Sequence, residues 1–450
     1  MNNERTALYL VADNNVPEWT YQMPAAEWQI SVDTDYSATR IASTGEGLPL
    51  CVFEHASSVP LYEHDYIAPM EGYHSTVSDA GDTYVSTARS SSGGAGEVYV
   101  YDGLSGTLRF TDDLAGWPQG LSVSADGQVV AVTMYGHARI WDALTGTERD
   151  SLRIPGDTQI AAVLSGDGTY LVTGGFSRTV RLYQWDESDY NLLWLHTIPS
   201  TTWITSLAIS EDGQTIAAGT WTNSDGGRAV LFDRSSPTPL WVDSSYGDEV
   251  SGLVLTPDGG LLVAGSYGRW EGSAGNIVSV YERESSIPIH GISDDAFANV
   301  GSCFTVDISE DGRYVIAGGK AVHAYDMGHG GWVMAAELVD PTGVATDQAE
   351  PGMRAAGRLV ASPNPFVGSA RIHLSHRAGS ALQGPRILNI LDPDGRLVRT
   401  LHAGDGPGVW DWDGRDELGQ AVSAGAYFVR PAPGGVGGVD DRALRLVYIR

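Results

Sequence analysis

One four-residue pattern, Ser-x-Asp-Gly, recurs along the first three quarters of this chain, each time between two short apolar strands. Clean copies are Ser124-Ala125-Asp126-Gly127, Ser165-Gly166-Asp167-Gly168, Ser210-Glu211-Asp212-Gly213 and Ser309-Glu310-Asp311-Gly312, and Thr256-Pro257-Asp258-Gly259 is a close variant. Two degenerate copies precede them, Ser78-Asp79-Ala80-Gly81 and the segment around Asp33-Thr34-Asp35-Tyr36. A tight hairpin needs positive φ at its central residues, which Gly accepts and Asp tolerates, while Ser and Asp oxygens satisfy turn amides. These acids are therefore turn formers first, and each turn offers too few carboxylates for a calcium loop. A unit this short does not bury both faces of its sheet alone, so neighbouring units must cover one another.

Small apolar strands such as Val129-Val130-Ala131-Val132 and Thr215-Ile216-Ala217-Ala218 follow the turns, as expected for sheets packed face to face. A third strand ends in an aromatic and an acid: Tyr101-Asp102, Trp141-Asp142, Phe232-Asp233, Tyr281-Glu282 and Tyr325-Asp326, the last within Val322-His323-Ala324-Tyr325-Asp326. A fourth, more polar strand carries Trp194, Trp241 or Trp332 and is expected at the outer edge. Four strands per unit, recurring about every 45 residues without helical periodicity, predict the blades of a β-propeller.

These units resemble the WD-repeat, YVTN and quinoprotein-like propellers over about residues 5–340, and Asp102-Gly103-Leu104-Ser105-Gly106 and Asp142-Ala143-Leu144-Thr145-Gly146 are similar to the Asp-x-x-Thr-Gly turn of quinoprotein-type blades. The resemblance implies a fold and is nearly silent on function. Ala7-Leu8-Tyr9-Leu10 and Glu18-Trp19-Thr20-Tyr21 read as the third and fourth strands of a blade, so the native gene product is expected to start upstream, with a signal peptide and the missing strands. The fold class is all-β: seven four-stranded blades plus an N-terminal half blade, seven or eight blades in all, over 1–340.

Residues 341–357 read as a Pro/Gly/Ala linker, and a new β pattern fills 358–450, enough for a sandwich of ordinary domain size. Its ordered motifs are Pro363-Asn364-Pro365-Phe366, the Asp394-Gly395 turn, Trp412-Asp413-Gly414, and Gly425 with Tyr427 in a late strand. In that order they resemble the immunoglobulin-like domain of flagellar hook-capping proteins and the type A sorting domain of type IX secretion. The resemblance implies export machinery as a partner, with cleavage in the linker and surface attachment in some members. Asp411, Asp413, Asp416 and Glu417 suggest a calcium cluster or, as Gly414 and Gly419 favour, tight turns.

Fifty-six acids against 27 Lys and Arg leave a net charge of −29, which repels a phosphate backbone and argues against nucleic acid as a partner. Cys51 and Cys303 are too few for a zinc cluster or disulfide framework, and no apolar run is long enough to span a bilayer. Nucleophile-elbow, phosphate-loop and zinc-protease motifs are absent, and His55, His64 and His74 read as surface histidines on separate strands or loops rather than a metal site. No metal or cofactor is expected, and a quinone-dependent dehydrogenase is least favoured because its turn recurs cleanly in only two units.

Counting back about seven positions from each turn serine selects Trp28, Glu71, Trp117, Gln159, Trp203 and Glu249 as residues of one channel face. Tryptophans and carboxylates around a ring suit a sugar, peptide or protein ligand, although the tryptophans also suit packing between blades. The expectation is a secreted or surface-displayed bacterial binding protein without catalysis. An exported propeller hydrolase or lyase, and a structural part of a surface assembly, are the alternatives.

Overall fold

The recurrent turns are built alike. In the four clean copies and in Thr256–Gly259, the first hydroxyl donates to the aspartate two residues on, at 2.6 Å from Ser124 to Asp126 and 2.7 Å from Ser309 to Asp311, whereas Ser78 reaches Asp82, four residues on. It also accepts the amide of the residue five on, at 2.9 Å from Val129 and 3.0 Å from Thr215. Only the glycine is left-handed: φ lies between 67° and 70° at Gly81, Gly127, Gly168, Gly213, Gly259 and Gly312. The expected positive φ at the aspartates is not found, because a longer loop lets one glycine turn the chain and leaves the acid to brace it.

These turns belong to a computed structural model of the chain. The structure describes residues 5–9, 17–22, 29–35, 39–46, 48–199, 202–222, 226–268, 276–293, 301–324, 331–338, 358–362, 369–375, 387–392, 396–402, 409–423, 425–431 and 444–448. The chain divides into two compact units, Met1–Leu338 and Val339–Arg450. All regular structure among the described residues is β, paired antiparallel throughout. The proposed linker 341–357 lies outside the described residues.

In the first unit, seven strands lead the successive repeats and line one central cavity: Gln29–Thr34, Met70–Val77, Gly120–Val123, the second half of Glu148–Leu164, Thr202–Ile209, Val250–Leu255 and Ser302–Ile308. Numbered by these strands, repeats 1, 2, 5 and 6 are separate four-stranded sheets. Repeats 3 and 4 share a six-stranded sheet, because Glu148–Leu164 is the outer strand of one and the inner strand of the next.

Repeat 7 has three strands among the described residues, and here the sequence expectation is corrected. Val322–Ala324 is a turn, Tyr325 and Asp326 lie outside the described residues, and the third strand is Gly331–Glu337, which places Trp332 on the third strand rather than a fourth. The turn docks on the start of its own inner strand and the end of the second: the Ala324 amide donates to Ser302 Oγ at 2.8 Å and Lys320 Nζ to the Ala324 carbonyl at 3.2 Å. An extended docked turn has the same apolar alternation as a strand, so periodicity does not separate them.

Each inner segment is a sheet edge, leaving backbone groups on its free side that need partners. The preceding repeat supplies them. Ser31 Oγ donates to the Ser75 carbonyl at 2.9 Å, Asp33 accepts Val77 N at 3.0 Å, Ser122 accepts Leu164 N at 3.1 Å, and Ser251 donates to the Cys303 carbonyl at 2.7 Å. The turns join as well, through amide bonds from Asp126 to Gly166, Gly166 to Glu211 and Glu211 to Pro257.

On the outer side, an indole clasps the following repeat. Trp194 packs 5.5 Å from Phe232 and donates to the Arg234 carbonyl at 2.7 Å; Trp241 packs 5.1 Å from Tyr281 and donates to Arg283 at 2.9 Å. Trp19 repeats this on Phe53, at 5.3 Å, with the His55 carbonyl at 2.7 Å. It stands on the strand Pro17–Gln22, which pairs with Arg5–Tyr9.

The second unit has two antiparallel sheets. One contains Arg358–Ser362, Ala370–Ser375 and Val409–Trp412; the other contains Ile387–Leu391, Leu397–His402, Gly425–Pro431 and Leu444–Tyr448. Trp410, Trp412, Ile372, Leu388, Ile390 and Val429 are buried, and Tyr427 meets Trp412 edge-on at 5.0 Å. Asp413 accepts Arg399 Nη1 at 2.6 Å beside Gly414 (φ 67°), Asp416 accepts Gln420 N at 2.8 Å, and Glu417 accepts Thr400 N at 2.6 Å. Asp413, Asp416 and Glu417 thus hold backbone amides or arginine around these turns. Pro363, Asn364, Pro365, Phe366, Asp394 and Gly395 lie outside the described residues.

The clasp yields a stability test. Trp241→Phe keeps the ring but strands the Arg283 carbonyl, an expected loss of about 1–3 kcal/mol, whereas the exposed Trp117→Phe changes stability by less than about 0.5 kcal/mol. Urea unfolding of the two variants checks the contrast.

Candidate functional site

Antiparallel order decides which residues share an end of the repeat unit. Inner strands start where second strands finish, so the residues before each inner strand meet the turns between second and third strands. Among the described residues five aromatic side chains are well exposed: Trp117 (40%), Tyr135 (66%), Phe176 (46%), Trp203 (40%) and Phe304 (43%). All five stand at this end.

Of the residues expected here, Trp28 lies outside the described residues. Glu71 is half-buried, opposite Arg89 in register. The Arg89 guanidinium lies 4.5 Å over Tyr73 and 5.2 Å over Trp117, and is neutralised by Glu46 at 2.5 Å. Trp203 sits opposite Trp221 across its hairpin, with ring centroids 4.8 Å apart, and stacks on Phe176 of the preceding repeat at 4.5 Å.

Gln159 does not line this face. It is fully buried, and its amide nitrogen and oxygen have no hydrogen-bond partner among the described residues. The cause is register. Gln159 pairs with Gly175 as Ile204 pairs with Thr220, Val250 with Ser266 and Cys303 with Gly319, and those three side chains are buried too. Six positions before the turn serine or threonine faces the core, whereas seven positions before is half-buried or exposed in repeats 2 to 6, so repeat 4 presents Thr158; in repeat 7 the equivalent Ser302 is buried.

The Phe176 turn is anchored from below. Buried Asp157 accepts Ser177 N at 2.7 Å, binds the Ser177 hydroxyl, and pairs with Arg181 Nη1 at 3.1 Å. Phe176 N donates to the Thr158 carbonyl at 3.0 Å, which ties the turn to the inner strand.

A different chemistry gathers at repeats 6 and 7. Buried Asp248 lies 3.3 Å from His323 Nε2, and Tyr267 meets Phe304 edge-on at 5.2 Å. Burial, with the neighbouring Asp248 charge, pushes the Glu249 carboxyl up to about 7. The acidic arc was legible in Glu249; its partners were not, because they come from turns that the count from serine never visits.

The cavity below this face has a volume of about 370 Å³. Burial pushes the Asp33 carboxyl up to about 6 and holds the His74 imidazole down at about 4. Asp33 and Asp307 hold equivalent places in repeats 1 and 7, and the charge of Asp307 adds to the rise at Asp33. Asp33 is engaged by Thr76 Oγ1, Val77 N and Thr34 N, a bracing role. His74 lies on an inner strand, His64 stacks on Tyr101 at 4.2 Å from an outer strand, and His55 follows a third strand, so the three histidines are not brought together.

The raised Glu249 pKa has a signed consequence. Folding favours the protonated form over an ordinary value of 4.5, so its contribution is complete below 4.5 and is lost as pH rises through about 7. Glu249→Gln is expected to raise the melting temperature at pH 8 and leave it nearly unchanged at pH 4. An equal change at both pH values would show a solvated carboxyl.

Among known families, the model of the WD domain, G-beta repeat, matches residues 152–184 and 194–233. Each match runs from the outer strand of one repeat to the third strand of the next. No curated protein matches the chain. The first unit carries WD-type repeats with propeller-like sheets.

Proposed function

We propose that the chain is a non-catalytic binding protein of the bacterial cell exterior, in which Met1–Leu338 is a seven-bladed propeller that holds the ligand and Val339–Arg450 an immunoglobulin-like module that directs export or anchoring. The observation that carries the binding role is the gathering, at one end of the repeats, of all five aromatic side chains that are well exposed among the described residues. Exposed rings are unfavourable in water and contribute large contact areas to a bound partner. Closure into seven blades is supported by the single cavity bordered by seven inner strands. Trp19 supports it too, because its clasp on Phe53 gives Pro17–Gln22 the place of an outer fourth strand. For the second unit, the support is the ordered motif set together with two antiparallel sheets over a core of Trp410 and Trp412.

The two roles separate experimentally. A variant with Trp117, Tyr135, Phe176, Trp203 and Phe304 all changed to Ser is expected to keep its melting temperature and lose retention on oligosaccharide and peptide arrays that hold the native chain. Unchanged retention overturns the platform. In a host with type IX secretion, removal of residues 339–450 from a version carrying a signal peptide is expected to trap it in the periplasm. Equal release with and without these residues overturns the sorting role.

A further inference from the structure

The last strand of a sheet offers its outward amides and carbonyls to any other strand, and proteins guard such edges with charges, prolines or short length. Tyr190–Thr197, the outer strand of repeat 4, ends its six-stranded sheet. Ile198 N donates to the Arg178 carbonyl, and bonds alternate along an antiparallel ladder, so Leu195 and Thr197 turn their backbone groups outward. The side chains of both are exposed, Leu195 by 50%, and so is that of Leu193, the extra residue of the neighbouring bulge. Aligned by register on the third strands, Leu195 corresponds to Glu63, Thr111 and Ser151 of repeats 1 to 3, and Thr197 to Asp65, Asp113 and Arg153. Each of those three edges thus carries a charge. In repeat 5 the strand has five residues, starting at Pro239 and ending at Asp243, and in repeat 6 it has four. Gly331–Glu337 of repeat 7 borders residues outside the described set. Tyr190–Thr197 has eight residues with no acid, lysine, arginine or proline.

Charge and symmetry select the occupant. With a net charge of −29, the chain attracts basic partners to its acids rather than to a neutral strand, and it repels its own copy except where a surface is uncharged. A two-fold antiparallel pairing centred on Leu195 is self-complementary. The Leu195 amide and carbonyl then meet those of the copy, Leu195 lies opposite Leu195 and Leu193 opposite Thr197, and no acid opposes an acid from Asn191 to Pro199. We propose that the chain forms a two-fold homodimer by antiparallel pairing of Tyr190–Thr197 with its own copy, joining the two sheets into one. The contact is independent of the aromatic platform. One strand pair buries little area, so the dimer is weak, and salt strengthens it by screening the acidic chains.

Sedimentation equilibrium of the full chain from about 1 to 200 μM tests this. A monomer–dimer equilibrium is expected, shifting toward dimer between about 20 and 300 mM salt. Leu195→Lys places two cations opposite each other and should weaken association about tenfold or more. Leu104→Lys, at an exposed turn of repeat 2, should change it less than about twofold. Melting curves matching the native chain show that the variants fold. A second measurement uses the burial of Cys51 and Cys303, which makes Leu195→Cys the accessible thiol. Paired strands hold such a residue and its copy at disulfide distance, so air oxidation should cross-link Leu195→Cys dimers and leave Leu104→Cys monomeric. A native chain that stays monomeric throughout, association that survives Leu195→Lys, or equal cross-linking at 195 and 104 overturns the proposal. A native monomer in which Leu195→Cys resists thiol labelling overturns it in favour of another segment of the chain lying on this edge.

Discussion

An inner strand with one unpaired side is the constraint from which this architecture follows. Its free amides and carbonyls sit beside a cavity, where water and the next sheet are the available partners. Short polar side chains from the preceding repeat meet that need: Ser31 and Asp33 for repeat 2, Ser122 for repeat 4, Thr205 and Ser206 for repeat 6, Ser251 for repeat 7. The stability of one sheet thus depends on the placement of its neighbour, so the repeats behave as a nearest-neighbour array. The indole clasps of Trp19, Trp194 and Trp241 apply the same dependence at the periphery.

Rigidity at both radii makes a useful rim. Residues that begin an inner strand are held by the seam hydroxyls, and the turns opposite them by bonds such as Phe176 to Thr158 and Ser177 to Asp157. Rings presented by such a frame lose little conformational freedom on binding, which favours affinity by preorganisation. The same frame explains why acids near the cavity need not be catalytic. Asp33 and the turn aspartates spend their oxygens on backbone amides, and the Asp102 carboxyl is held down at about 2 by the Ser105 amide and then Arg109.

The second unit uses a related economy of turns. Asp413, Asp416 and Glu417 hold amides or arginine around Gly414 and Gly419, beside the buried pair of Trp412 and Tyr427. Local side chains set the reversals, and the aromatic core sets which strands they join.

Much of this was decided by local chemistry and could be read from the residues. The hydroxyl-aspartate-glycine turns, the strands around them, the outer positions of Trp194 and Trp241 and the β character of 358–450 follow from nearest-neighbour preferences that act within a few residues. Tertiary structure decided the rest. Whether position 158 or 159 faces the rim depends on strand register, and a shift of one residue reverses the face, which is why Gln159 was misplaced. Phe176, Tyr135 and Phe304 join Trp203 and Trp117 only because antiparallel pairing carries distant turns to the same end. Val322–Ala324 docks as a turn because Ser302 binds its backbone, a contact over 22 residues of chain that no local alternation encodes.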